Sequence, residues 1–134
     1  MMVLLDSSAW LAHLFGEPGM EEVNQIFEEE SAEVSISTVS IPEVCARLTA
    51  LGRQDRWPQV WAIYSDLFTR ILPVDEAVAH EAVALREGSA VRLPTVDALI
   101  AATAAVHGLT LVHRDSHMTG IPADLLSQQV LPSN

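Results

Sequence analysis

Short apolar runs and amphipathic stretches take turns along the whole chain. "MVLL", from Met2, is four apolar residues long and stops at Asp6, the signature of a short buried strand. "SSAWLAHLF" then repeats its apolar positions at helical spacing, with a serine available as N-cap, until Gly16 and Pro18 end it. A second amphipathic helix is predicted from about Gly19 to Glu30, and the β-branched "EVSIST" reads as a strand. "SIPEVCARLTALG" opens with Ser40-x-x-Glu43, a capping-box pattern with proline in the first turn, and closes at Gly52. A Trp-bearing helix from about Trp57 to Phe68, the strand "RILPV" and a helix from Asp75 to about Glu87 come next. The last full pair is a helix from about Pro94 to His107 and a strand from Leu109 to His113, and a short strand over Gln129 to Leu131 can close the sheet.

Strands alternating with helices of about 10 to 15 residues imply an α/β fold with a mostly parallel sheet of four or five strands, helices covering both faces. No repeat, low-complexity segment or linker interrupts residues 1–134, so one domain is expected. A hydrophobic content of 49% excludes a disordered chain. No apolar run is long enough to cross a bilayer and no basic-then-apolar leader opens the chain, so a cytoplasmic protein without membrane contact is expected. The single cysteine, Cys45, cannot form an internal disulfide, which fits a reducing compartment, and its helical setting suits a small buried hydrophobe.

Charge narrows the functional classes. Eighteen acids face seven basic residues, all arginine, for a net charge of -11. Such a chain does not bind nucleic acid through a basic surface of its own; a metal ion, a local arginine cluster or a partner must supply positive charge. The densest acidic stretch, "EEVNQIFEEESAE", reads as the solvated face of a helix.

Four of the acids fall at special places. Asp6 ends the first strand, Glu43 lies on the first turn of the helix after the second, Asp97 lies near the start of its helix, and Asp115 follows the strand "LTLVH". Ligands of open parallel sheets bind beyond the carboxyl ends of the strands, so all four should meet at one edge. Each acid also has a structural role open to it: Glu43 in the capping box, Asp97 at a helix N-terminus capped by Thr95, Asp6 and Asp115 in turns. Their convergence is the stronger signal. Two like charges ~5 Å apart repel by roughly 3 kcal/mol at an effective dielectric of 20, so such a pocket must be protonated or hold a cation. Oxygen donors of this kind suit Mg²⁺ or Mn²⁺.

At this point the motifs "LLDSSAW", "SIPEV", "DALIAATAAVHGLTLVHRD" and "RDSHM" together resemble the PIN domain. More narrowly they resemble the VapC toxins of bacterial and archaeal type II toxin–antitoxin systems, in order and spacing over essentially the whole chain. The resemblance implies a three-layer α/β/α sandwich and a Mg²⁺- or Mn²⁺-dependent ribonuclease whose four acids are Asp6, Glu43, Asp97 and Asp115. It implies a homodimer, inhibited by a small cognate VapB-like antitoxin whose C-terminal segment lies across the toxin's groove. Hydrolysis would leave a 5′-phosphate and a 3′-hydroxyl, with Asp6, Asp97 and Asp115 as direct ligands and Glu43 holding a second ion or orienting the water. Met118 stands where the family usually has Phe, a change of packing under the loop.

Other residues complete the expectation. Ser7, Ser8 and Thr95 bring hydroxyls to the same edge, as helix caps or as supports of the acids, and His117 could reach the scissile phosphate. His113 and His117 are four apart, but a strand-to-loop setting spoils a zinc site and no cysteine is near. Arg47, Arg92 and Arg114 are the basic residues nearest the acids by sequence. Trp57, Trp61 and Tyr64 share a helix face that suits core packing. Neither a G-x-x-x-x-G-K-[ST] nor a G-x-G-x-x-G loop is present, and a phospho-receiver would need a lysine this chain lacks. A PIN-like domain that only binds is the competing class, and it would have lost acids that are all present here.

Overall fold

The opening apolar run forms β1 (Met2–Leu5), with Val3 and Leu5 turned to one face of the sheet and Leu4 to the other. The structure is a computed structural model and describes residues 1–133. After β1 come α1 (Ser7–Phe15), α2 (Met20–Glu28), β2 (Glu33–Ser37), α3 (Ser40–Ala50) and, beyond a single 3-10 turn, α4 (Trp57–Leu67). The chain continues through β3 (Arg70–Leu72), α5 (Glu76–Gly88), α6 (Thr95–His107), β4 (Thr110–His113) and β5 (Gln128–Val130). The five strands form one sheet in the order β3-β2-β1-β4-β5, every pair parallel. Among the described residues no helix is long and apolar enough to cross a membrane.

The pleat divides the interior into two cores. Leu4 and Leu111 point into a layer filled by α5 and α6, with Val78, Leu85, Ile100 and the alanines of α6 buried there. Val3, Leu5, Ile36 and Val112 point into the opposite layer, made by α1 to α4. That second core centres on Trp10, fully buried, whose ring lies 5.1 Å from Phe68, 5.5 Å from Tyr64, 6.1 Å from Trp57 and 6.4 Å from Trp61 between centroids. The expected aromatic face of α4 is thus a packing face. Gly16 and Gly108 end α1 and α6 in the left-handed region, both at φ 66, where a Cβ would be strained.

Three caps differ from expectation. Asp6, not a serine, caps α1: Ala9 N donates to its Oδ1 at 2.8 Å. The capping box of Ser40 and Glu43 does not form; Val39 precedes α3 without a side-chain bond to its amides, and Glu43 is engaged elsewhere. Thr95 opens α6 as its first helical residue, behind Pro94, and makes no cap bond. Asp75 does cap α5, accepting from Val78 N at 3.0 Å. Serine, threonine and aspartate compete for the same backbone donors, and here the residue at the strand end wins.

Candidate active site at the switch point of the sheet

Strand order runs outward from β1 in both directions, so β1 and β4 flank the point where the topology reverses. Asp6 continues the β1–β4 ladder, its N–H donating to Val112 O at 3.0 Å. Its side chain is 3% exposed, and Oδ1 accepts from Ser8 Oγ at 2.7 Å as well as from Ala9 N. Burial pushes this acid up to about 7, the hydrogen bonds from Ser8 and Ala9 hold it lower than burial alone would, and the charges of Asp115 and Asp97 raise it further.

Asp115 sits two residues past β4, half-buried, its Oδ1 accepting from His117 N at 2.9 Å. Asp97, in the first turn of α6, is brought beside it with its side chain 19% exposed. Burial, then the neighbouring Asp115 and Glu43 carboxylates, raise Asp97 to about 6, and His117 pulls the other way. His117 Nδ1 lies 3.1 Å from Asp115 Oδ1 and 3.5 Å from Asp97 Oδ2, and one donor atom from each of the three residues falls within 4.8 Å of the others. Glu43 reaches the site from α3, held by Ser7 Oγ, which donates to Glu43 Oε1 and lies 3.0 Å from the buried Ser40 Oγ.

Asp97 and Asp115 thus come together with His117 at one sheet edge; Asp6 and Glu43 fall outside that 4.8 Å group but are linked to it by charge, Asp115 and Asp97 acting on Asp6 and Glu43 acting on Asp97. Ser7 and Ser8 each hold one of them; Thr95 is exposed and bonds none. The donor set suits a hard divalent cation: oxygen donors from carboxylates with one imidazole, and two acids that resist ionisation until a positive charge arrives.

The basic residues behave otherwise than the sequence implies. Arg114 Nη2 meets Glu17 Oε1 at 2.9 Å and Arg47 Nη2 meets Glu17 Oε2 at 3.2 Å, so both guanidinium groups share one carboxylate on the α1–α2 loop. Arg92 lies in a separate surface hollow with Val83, Arg86 and Glu87. Ser8 bridges two site segments, because its Oγ also accepts from Arg114 N at 2.9 Å. Sequence reasoning missed Ser40, Glu17 and Gln128, whose contacts cross more than thirty, ninety and ten positions of chain and leave no local signal. His113 is not aimed at His117. It is buried, bonded to Gln128 and to the Asp115 amide, and burial lowers its tendency to protonate.

Comparison with known proteins places this arrangement. No curated protein matches the chain. Among solved structures, VapBC2 from Rickettsia felis, bound to a DNA fragment from the pair's promoter, superposes with a TM-score of 0.79 at 17% identity, covering 97% of this chain and 98% of that one. A toxin–antitoxin complex from Klebsiella pneumoniae gives 0.66 at 28% identity, over 90% and 92%. VapC20 from Mycobacterium tuberculosis, a toxin that cleaves the sarcin-ricin loop, gives 0.71 at 17%, over 97% and 99%. The family model of the PIN domain matches residues 3–123. With that match running from β1 through the loop that carries Asp115 and His117, the chain belongs to the PIN-domain family.

Proposed function

We propose that this protein is a VapC-like toxin of a type II toxin–antitoxin pair, an endoribonuclease that hydrolyses RNA with Mg²⁺ or Mn²⁺. The observation that carries the reading is the convergence of Asp6, Glu43, Asp97 and Asp115, where burial, with neighbouring carboxylates adding to it, raises Asp6 to about 7 and Asp97 to about 6. The cap that Asp6 supplies to α1 accounts for one of these acids; burying Asp97 beside Asp115 and Glu43 is better accounted for by a functional site. The similarity to toxins of VapBC pairs supports the same reading.

Asp6, Asp97 and Asp115 would hold the cation, and Glu43, fixed by Ser7, would hold a second ion or orient the attacking water. When bound, a divalent cation activates water as a nucleophile at neutral pH and neutralises charge gathering on the phosphate. Hydrolysis adds the water oxygen to phosphorus and breaks the P–O3′ bond, leaving 5′-phosphate and 3′-hydroxyl ends. His117, 54% exposed beside Asp97 and Asp115, would donate to a phosphate oxygen. Ser8 keeps Asp6 oriented and lowers its affinity for protons.

A chain of net charge -11 has few cations to spend on RNA, and Arg47 and Arg114 already share Glu17. The phosphate must therefore be drawn mainly by the cation and by whatever partner is present. A cognate VapB-like antitoxin, supported by the toxin–antitoxin complexes among the similar structures, and a homodimer, implied by the family resemblance alone, complete the proposal. The test is incubation of the purified protein with total tRNA and ribosomal RNA, with Mn²⁺ or Mg²⁺, beside EDTA and an identically prepared Asp97→Asn variant. Discrete 5′-phosphate products that need both metal and Asp97 are expected. Wild type and variant behaving alike, together with equal Mn²⁺ binding, would sink the reading.

A further inference from the structure

The loop after β4 carries Asp115 and His117, and one amide group spans it. Gln128 Nε2 donates to Ile121 O at 3.2 Å, at the far end of the loop, while Gln128 Oε1 lies 2.7 Å from His113 Nε2 at the near end. In the β4–β5 ladder Gln128 pairs with Leu111 and His113 with Val130, so the two side chains are diagonal neighbours on one face. The ring of His113, fully buried, then lies with Nδ1 3.0 Å from Asp115 N.

These contacts allow only one assignment of protons. A carbonyl oxygen only accepts, so the Gln128 NH₂ must face Ile121 and its oxygen must face His113. That oxygen needs a donor, so His113 carries its proton on Nε2 and leaves Nδ1 free to accept the Asp115 N–H. Every group in the chain Ile121–Gln128–His113–Asp115 is thereby satisfied in one direction. The edge strand β5, which carries none of the acids, sets the tautomer of a residue that holds the backbone of Asp115.

We infer that His113 is a positioning residue for the cation site, oriented by Gln128, and that it acts by accepting the Asp115 amide proton and not by binding the cation itself. The inference rests on the proposed metal-dependent reading of the four acids. Groups that orient ligands from behind in this way are worth about 10- to 100-fold in metal affinity or activity.

Two substitutions separate positioning from packing. In His113→Asn the side-chain oxygen can take the place of Nδ1 and accept from Asp115 N, but nothing reaches Gln128. In His113→Gln the amide nitrogen can take the place of Nε2 and donate to Gln128, but Asp115 N loses its acceptor. Asn is the smaller and leaves the larger void, so stability should rank His113→Gln above His113→Asn. Mn²⁺ affinity should rank the other way: within about threefold of wild type for His113→Asn, and weaker by about 10- to 100-fold for His113→Gln.

Mn²⁺ titration and urea unfolding of the full chain, with Asp97→Asn alongside, read both orders. Hydrogen exchange of the Asp115 amide without metal should be slow in wild type and His113→Asn and fast in His113→Gln. Opposite rankings of stability and affinity, with that exchange pattern, support the relay. Affinities that follow stability, or an Asp115 amide equally protected in both variants, overturn it. If wild type and Asp97→Asn bind Mn²⁺ alike, the metal reading itself falls, and the exchange pattern still decides whether His113 holds Asp115.

Discussion

Replacing Asp6 with Asn separates the electrostatic cost of the site from its architecture. Asp6 caps α1 through Oδ1, which accepts from both Ala9 N and Ser8 Oγ, and asparagine keeps that oxygen and the cap. What it removes is a charge that burial opposes, with Asp115 and Asp97 adding to the opposition, strongly enough to raise the acid from 3.8 to about 7. Between those two values the folded protein keeps a proton that the unfolded chain has released. Stability therefore falls as pH rises through that window and stays low above it. The full difference corresponds to roughly 4 kcal/mol. Water entry and relaxation around the acids screen part of it, so a gain of about 2 kcal/mol for Asp6→Asn at pH 8 is expected. Urea unfolding in EDTA at pH 4 to 8 measures it, and the advantage should shrink to roughly 0.5 kcal/mol at pH 4, where the folded wild type holds its proton and the unfolded chain still holds about two-fifths of it. Saturating Mn²⁺ should then restore the wild type, by about 2.7 kcal/mol at a hundred times its Kd, and do little for the variant. A variant no more stable than wild type at pH 8, or a gain undiminished at pH 4, would refute the view of Asp6 as a charge held against its preference.

Two further substitutions probe the support of the site and the core. Ser8→Ala deletes a hydrogen bond that holds Asp6 down and strips the Arg114 amide of its acceptor; Mn²⁺ affinity at neutral pH should drop about tenfold and its pH midpoint should move upward, as titrations across pH will show. Trp10→Ala should cost about 3–5 kcal/mol in chemical denaturation, because four aromatic rings lose their common neighbour. Trp10→Phe should cost less than half of that, since the indole Nε1 is buried with no hydrogen-bond partner among the described residues and nothing polar is left stranded.

The acidity of the chain bears on how it meets nucleic acid. Glu17 pairs with Arg47 and Arg114 together, so neither guanidinium is left unpaired to draw phosphate to the acids. On the proposed metal-dependent reading, a divalent cation would be both the source of chemistry and the main attraction for phosphate. Activity should accordingly fall steeply with the metal and only weakly with moderate salt.

Much of this was legible from the order of residues. Strand and helix periods are local properties, and runs such as "MVLL" and "LTLVH" are too short and too apolar to be anything but buried strands between helices. Because a parallel sheet aligns its strand ends, Asp6, Glu43, Asp97 and Asp115 could be assigned to one edge before any coordinates. What the sequence could not decide was which of several equivalent hydrogen bonds each polar group makes. Ser40-x-x-Glu43 satisfies a local capping rule, yet Glu43 is taken by Ser7 from another helix; Ser7 could cap α1, yet Asp6 does. Gln128 is an ordinary residue of an edge strand until β5 docks beside β4 and puts its amide across the Asp115 loop. Local options of this kind differ by about 1 kcal/mol or less. The choice among them falls to contacts between distant segments, and those exist only once the sheet has formed.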